Sequence, residues 1–385
     1  MSYRIPFNRP FLVGDEAELV ARCLASGNSG DGPFTRECQQ LMEQRFGAAR
    51  VLLTTSCTSA LEMAALLCDV GPGDEVILPS HTFASTANAF LLRGATLKFV
   101  DVRPDTLNMD ERLIEQAITP RTKVIVPVHY ASIGCEMDTI GALARKHSLR
   151  IVEDAAQAVD ATYRGAFLGT LGTLGAYSFH ASKNFGCGEG GALLVNDASL
   201  AERAEILREK GTNRSRFFRG QVDKYTWVDV GSSYVPADIL AALLLSQLRS
   251  MDDITARRRR VYESYYNAFQ PLAERGLLTL PTIPPHCRSN YHMFYAIVAD
   301  LATRTALIEH LKAAGILAVF HYVPLHTSPV GLSLGYEAGM LPVTESISDR
   351  LLRLPMYAGL EPAEVESVID AVASFFRVRS APTGQ

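Results

Sequence analysis

A single lysine stands where a lysine is costly. In the run Ala176-Tyr-Ser-Phe-His-Ala-Ser-Lys183-Asn-Phe-Gly-Cys-Gly-Glu-Gly-Gly-Ala-Leu-Leu194, apolar residues precede Lys183, a glycine-rich turn follows it, and a strand-like stretch, Ala192 to Val195, comes next. An ammonium between two buried segments is unfavourable unless it is paired, neutral or covalently used. The covalent use is a Schiff base with a carbonyl compound. The alternative is an ordinary surface lysine in a loop. The other lysines, Lys98, Lys123, Lys146, Lys210, Lys224 and Lys312, lie at strand mouths, on polar helix faces or in a basic loop. If any lysine does covalent chemistry, Lys183 is the one.

A carbonyl cofactor of the pyridoxal phosphate kind asks for three further groups. An acid must keep the pyridine nitrogen protonated, and Asp154, at the end of the apolar run Arg150–Glu153, is placed for that; as a plain residue it would be a cap or turn. A polar loop at a helix N-terminus must take the phosphate. Thr55-Ser-Cys-Thr-Ser59 before Ala60-Leu-Glu-Met has that form, and so does any N-cap. A flat apolar wall must face the ring, which Phe83 can supply, although a core phenylalanine is the commoner use.

The elements that must position these groups alternate. Strands are predicted at 51–54, 75–78, 97–100, 123–128 and 150–153, and helices at 60–68, 83–93, 109–118 and 137–146. Such alternation implies a mainly parallel sheet with helices on both faces, whose ligands bind beyond the carboxyl ends of the strands. Polar clusters fall at those ends: Thr55–Ser59, Ser80–Ser85, His129-Tyr130, Asp154–Gln157 and Ser178–Lys183. Before the sheet come an extended arm (1–14), a helix (15–25), a loop (Ser26–Pro33) and a second helix (35–46). After it, residues 208–224 carry Arg208, Lys210, Arg214, Arg216, Arg219 and Lys224 against Glu209 and Asp223, six minus two, a local +4. That is either a solvated loop or an anion site for a phosphorylated ligand. An apolar helix (237–248) and a long charged helix (252–269) lead to a smaller α+β unit. In it, strands are expected at 294–298 and 317–321 and helices at 304–314, 344–352 and 362–376, with a frayed tail from Arg377 to Gln385.

At 385 residues the chain is long enough for two domains, read as 1–250 and 251–385. It is 48% hydrophobic and 20% charged, with a formal net charge of -4, which argues against a nucleic-acid binder. Seven scattered cysteines without a CxxC pair suggest reduced thiols and a cytoplasmic setting. No signal peptide or membrane span is expected, nor a metal site.

The motifs Ser56-Cys-Thr-Ser-Ala60, Pro79-Ser-His-Thr-Phe83, Pro127-Val-His-Tyr130, Glu153-Asp-Ala-Ala-Gln157, Ser178-Phe-His-Ala-Ser-Lys183 and Glu189-Gly-Gly191 resemble those of the DegT/DnrJ/EryC1/StrS nucleotide-sugar aminotransferases. Arg208–Ser215, Phe217–Trp227, Gly231–Tyr234 and Val319–His326 are similar to the branch that makes dTDP-4-amino-4,6-dideoxygalactose for enterobacterial common antigen. The resemblance implies the fold type I architecture of pyridoxal-phosphate transferases, a large mainly parallel-sheet domain plus a smaller C-terminal α+β domain. It also implies a homodimer with shared active sites, L-glutamate as amino donor and a nucleotide-linked keto-sugar as acceptor. By motif position, Lys183 would be the catalytic residue and carry the cofactor. Asp154 would pair with the pyridine nitrogen, Gln157 would lie near the ring hydroxyl, Phe83 would stack on the ring, and Thr58, Ser59 and Ser178 would hold the phosphate. His129, Tyr130, Arg214, Arg219, Tyr322 and His326 would contact substrate. Two departures are visible. Val235-Pro236 replaces an asparagine that many members contribute from the neighbouring subunit, and the turn Gly186-Cys-Gly188 is shorter.

Overall fold

The computed structural model describes residues 3–27 and 30–380; Asn28 and Ser29 of the expected 26–33 loop, and residues 381–385 of the expected frayed tail, lie outside them. Helices α1 (Glu16–Ala25) and α2 (Pro33–Phe46) lead into β1 (Arg50–Thr54). Four helix–strand units follow: α3 (Cys57–Leu67) to β2 (Glu75–Pro79), α4 (Ala84–Leu91) to β3 (Thr96–Val100), α5 (Ile114–Ala117) to β4 (Thr122–Ile125), and α6 (Met137–His147) to β5 (Arg150–Asp154). A short hairpin, β6 (Thr162–Tyr163) and β7 (Ala166–Phe167), precedes β8 (Leu174–Ser178) and β9 (Gly191–Val195).

The large sheet has the order β1-β9-β8-β5-β4-β2-β3. Its apolar runs are nearly continuous because both faces are covered. Alternate side chains feed two cores: Val51 and Leu53 join one cluster, Leu52 the other. Every strand is parallel except β9, which pairs antiparallel with β1 and β8. The reason is local. A parallel partner for β8 would need a crossover helix, whereas residues 179–190 form only a loop that turns straight back. That loop carries Lys183 and leaves it at the edge where the parallel strands end.

After β9 come α7 (Ala201–Arg208), the short α8 (Arg214–Phe218) inside the stretch expected as a loop, and α9 (Asp238–Arg249), which packs on α1 and α2. The 24-residue α10 (Met251–Glu274) then leads to β10 (Leu278–Thr279), β11 (Cys287–Arg288), β12 (Phe294–Val298), α11 (Leu301–Ala313), β13 (Val319–Phe320), α12 (Pro329–Ser333), α13 (Pro342–Arg350), β14 (Leu351–Leu354) and α14 (Pro362–Ser380). β11 joins the hairpin β6-β7; the others form an antiparallel sheet, β10-β12-β14-β13. Its core draws on α10, α11 and α14 and takes in Ile5 from the N-terminal arm. The arm is not loose: Ile5 N donates to Gly315 O (3.0 Å) and Leu317 N to Ile5 O (3.0 Å). We propose Ser250, between α9 and α10, as the domain boundary, with the arm packing on the second unit.

Several expectations are corrected. The helix expected at 109–118 is a 3-10 turn (Glu111–Leu113) and the four-residue α5, because Met109 bridges back to Val102 as an extended pair. The helix expected at 344–352 stops at Arg350, and Leu351–Leu354 is a strand between β12 and β13. The strand expected at 317–321 is only Val319–Phe320. Residues Arg377 to Ser380 continue α14 instead of fraying.

Two polar clamps lock the units together. Ser80, just past β2, donates to His326 Nδ1 (2.7 Å) and accepts from the His326 amide (3.0 Å), while His326 Nε2 donates to Glu345 Oε1 on α13 (2.9 Å). Asp101, just past β3, accepts from the amides of Val343 (2.9 Å) and Thr344 (2.8 Å), capping the N-terminus of α13 from the other unit.

Candidate active site

A cavity of about 780 Å³ opens at the carboxyl edge of the large sheet, between it and the second unit. Lys183, Asp154, Gln157, Thr58, Ser178, Phe83 and Tyr322 all line it. The Lys183 loop is fixed by its own backbone: Phe179 N donates to Gly190 O (2.8 Å) and Ala181 N to Gly188 O (2.8 Å). Phe179 and Phe185 are buried beneath it. The next residue, Asn184, donates to Asn290 O (2.7 Å) and accepts from His292 Nδ1 (2.9 Å), so the loop is tied to the second unit. Burial pulls the Lys183 amine below the usual lysine range; Cys57 and Asp154 oppose that, and the Arg353 charge adds to it.

Asp154 ends β5 and is buried. Its Oδ2 accepts from Thr86 Oγ1 (2.7 Å) and its Oδ1 from the Ala156 amide (3.1 Å). Among the described residues no cation forms a direct ion pair with it. A buried carboxylate aimed into a cavity with only neutral donors suits a protonated ring nitrogen. Gln157 is held by both ends: Oε1 accepts from the Ala131 amide (2.7 Å) and Nε2 donates to the Tyr322 hydroxyl (3.1 Å). Phe83 is 63% exposed at the cavity wall, its ring 6.5 Å from that of Tyr322.

The phosphate-cup candidate is the N-terminus of α3, where Ser56 caps the Ser59 amide (3.1 Å). Thr58 Oγ1 donates to Ser85 Oγ (2.7 Å), and Ser178, paired with Gly191, lines the same cavity. Gly191, the first residue of β9, makes this packing possible: a Cβ there would lie 2.3 Å from Cys57 N. Exposed first-turn amides, hydroxyls and a positive helix end suit a phosphate dianion. Ser59 is an exception, since its hydroxyl bonds Thr55 (2.8 Å) and Ser56 (3.1 Å) and is outside the lining.

Five expected substrate contacts lie elsewhere. His129 is fully buried, donating Nε2–H to Glu153 (2.8 Å) and accepting the Cys135 amide (3.2 Å). Tyr130 lies one layer behind the wall, bonded to His321 Nδ1 (3.0 Å). His326 is consumed by the clamp to Ser80 and Glu345. Arg219 pairs with Glu205 (2.7 Å), and Arg214 lies over the Phe218 ring (5.0 Å) with Glu209 at 3.9 Å. The +4 of residues 208–224 is therefore answered in part by acids of α7, including an Arg216–Glu202 pair. These acids, Glu202 and Glu205, precede the counted window.

Sequence reasoning missed Phe7 and Asn8 of the arm, His292, His321 and Arg353, all of which line the cavity. Arg258, buried in α10, donates to the carbonyls of Tyr291 (3.0 Å), His292 (2.5 Å) and Met356 (3.2 Å), placing two cavity residues. Arg353 was legible by the rule that singled out Lys183, as the one charge in Leu351-Leu-Arg-Leu-Pro355.

A carboxylate-backed cavity with a depressed lysine at the carboxyl edge of a parallel sheet has clear relatives. Residues 11–373 match the DegT/DnrJ/EryC1/StrS aminotransferase family. This chain belongs to that family. SpsC of Bacillus subtilis, a spore coat polysaccharide biosynthesis protein, is 35% identical over 376 residues, covering 96% of each chain. The PLP-form of Spr1654, a putative sugar aminotransferase from Streptococcus pneumoniae, superposes with a TM-score of 0.90 at 29% identity, covering 98% of this chain and 99% of that one. The aminotransferase TlmJ from Streptoalloteichus hindustanus gives 0.89 at 33% identity, with 98% and 100% covered. The architecture is accordingly that of fold type I aminotransferases.

Proposed function

We propose that this family member transfers an amino group from L-glutamate to a nucleotide-linked 4-keto-6-deoxy sugar. By the sequence resemblance, the substrate we propose is dTDP-4-keto-6-deoxy-D-glucose and the product dTDP-4-amino-4,6-dideoxy-D-galactose, destined for a surface glycan such as enterobacterial common antigen or lipopolysaccharide. One observation carries the reading: Lys183, desolvated and shifted toward the neutral amine, shares a cavity with the buried Asp154 carboxylate and the N-terminus of α3. These groups fit pyridoxal 5′-phosphate, which when bound supplies an electron sink for breaking a bond at the amine-bearing carbon.

The chain's residues divide the remaining work. Lys183 would hold the cofactor and, as a free amine, would take the proton from the donor's α-carbon and return it to the cofactor carbon on the other side of the nitrogen between them. Asp154 keeps the ring nitrogen protonated. Thr58 and Ser178, with the amides of α3, hold the phosphate. Gln157 and Tyr322 orient the ring edge, and Phe83 covers one ring face. Free cysteines throughout the described residues support a reducing, cytoplasmic setting. No helix among them is long and apolar enough to cross a membrane. The exposed Phe218, Tyr225, Trp227 and Val228 support a homodimer in which this segment is covered by a second copy.

The test is a panel of dTDP-, UDP- and GDP-linked 3- and 4-keto-6-deoxy sugars with L-glutamate, the products read by mass and proton couplings. Amination at C4 of the dTDP sugar, with an axial amine, is the expected result. Amination at C3, or of a UDP or GDP sugar alone, contradicts the substrate assignment.

A further inference from the structure

Hydroxyls crowd the stretch that joins β2 to the first turn of α4: Ser80, Thr82, Ser85 and Thr86. Ser80 is spent on the clamp to His326, and Ser85 accepts from Thr58 beside the phosphate cup. Thr82 and Thr86 are both buried, both line the cavity, and bond each other, Oγ1 to Oγ1, at 2.7 Å. Thr86 Oγ1 also lies 2.7 Å from Asp154 Oδ2. The direction of this chain is fixed by its last member. A carboxylate oxygen only accepts, so the single hydroxyl proton of Thr86 goes to Asp154, and the bond between the threonines is left for the Thr82 hydroxyl to donate. The order runs from Thr82 to Thr86 to Asp154, each bond polarising the next.

This arrangement departs from local habit. The hydroxyl of a helical threonine commonly turns back to a carbonyl three or four residues earlier. Thr86 lies in the first turn of α4, where its amide already bonds Phe83 O (3.1 Å), and its hydroxyl reaches the end of β5 instead. The second torsion of an aspartate side chain is broad, so only bonds to its oxygens can fix the plane of the carboxylate. Asp154 has one on each: Thr86 on Oδ2 and the Ala156 amide on Oδ1. We infer that Thr86, oriented by Thr82, is a positioning residue for Asp154, holding the carboxylate in the plane in which it meets the cofactor's ring nitrogen. This rests on the cofactor reading above. Because Thr82 directly precedes Phe83 and Ser85 directly precedes Thr86, one short stretch also ties together the ring's face, its nitrogen partner and the Thr58 side of the cup.

The holoenzyme, loaded with cofactor labelled at the ring nitrogen with the NMR-active isotope, gives the test. In wild type the resonance should lie at the position of a protonated pyridine. Thr86→Val keeps the branched shape and removes the hydroxyl. Its holoenzyme should show the resonance moved toward the unprotonated position, and its rate constant in the L-glutamate half-reaction should fall about tenfold while the apparent Kd for L-glutamate stays within about twofold. Thr86→Ser restores the hydroxyl and should return both readouts to near wild type. Thr82→Val leaves both of Asp154's donors in place; it should cost about threefold in the same rate constant, and nothing further when added to Thr86→Val, since a relay without its middle has no first member to lose. A Thr86→Val holoenzyme with wild-type resonance and rate overturns the inference. So does Thr86→Ser behaving as Thr86→Val does, which would make Thr86 a packing residue. If Thr86→Val does not fold, Thr82→Val carries the test, and an unchanged rate in it overturns the relay. A wild-type protein that binds no cofactor, or holds it with the ring nitrogen unprotonated, overturns the cofactor reading itself.

Discussion

At the scale of single residues, the site depends on two buried groups, a lysine and a carboxylate. Lys183 is pulled toward the neutral amine chiefly by desolvation, and Asp154 is a buried carboxylate supplied with two hydrogen bonds, from Thr86 and Ala156. Both were legible in the sequence because each places a charge at the edge of an apolar run. Asp154→Asn keeps the shape and one of the two acceptor oxygens but removes the charge that stabilises a protonated ring nitrogen. Turnover should fall by about 10²-fold or more, the size of losing one preorganised electrostatic partner, with the cofactor still bound. Single-turnover rates with L-glutamate check it, and an unchanged rate would remove Asp154 from the chemistry. Arg353 illustrates what escaped. It obeys the same rule as Lys183, but the expected helix 344–352 stops one residue short of it, so the strand Leu351–Leu354 that carries it to the cavity was not legible.

At the scale of elements, the strand ends place the site and the clamps hold the second unit over it. The carboxyl-edge clusters could be read from alternation alone, because a parallel sheet leaves few other places for a ligand. Which cluster residues face the cavity could not, since a polar side chain past a strand serves equally well as a packing partner. His129 and His326 were assigned to substrate and are instead spent on Glu153 and on Ser80 with Glu345. His326→Ala should therefore act on stability, costing about 2–4 kcal/mol from the cavity and the orphaned Ser80 hydroxyl. Denaturant midpoints should show it, while cofactor binding at low denaturant stays near wild type; an unchanged midpoint would contradict the clamp. Burial works to raise the Glu345 carboxyl, but bonds from His326, Gly339 and Leu341 outweigh it and hold it below the usual range. A carboxylate whose pKa is lowered on folding contributes fully above its unfolded value and less as the pH falls through the folded one. The wild-type advantage over His326→Ala should shrink over that acidic window.

At the scale of the whole molecule, the account joins a doubly covered parallel sheet, a smaller antiparallel unit and an N-terminal arm around one cavity. The broad architecture was legible from the βα alternation and the later α+β pattern. The arm's contribution was not, because its attachment to Gly315 and Leu317 is a backbone pairing that no side-chain pattern announces. Nor was the charge balance of the 208–224 segment, whose partners Glu202 and Glu205 fall just before it and become neighbours only through the α7–α8 turn. The central claim is that these parts assemble a lysine-dependent transaminating site, and the most direct measurement is an absorbance spectrum of the purified protein with pyridoxal phosphate, before and after L-glutamate, beside Lys183→Ala. The account predicts a near-visible band in wild type that gives way to the pyridoxamine phosphate form on adding glutamate, and no such conversion in Lys183→Ala. A wild-type protein that shows no cofactor band, or a Lys183→Ala protein that converts as wild type does, would contradict it.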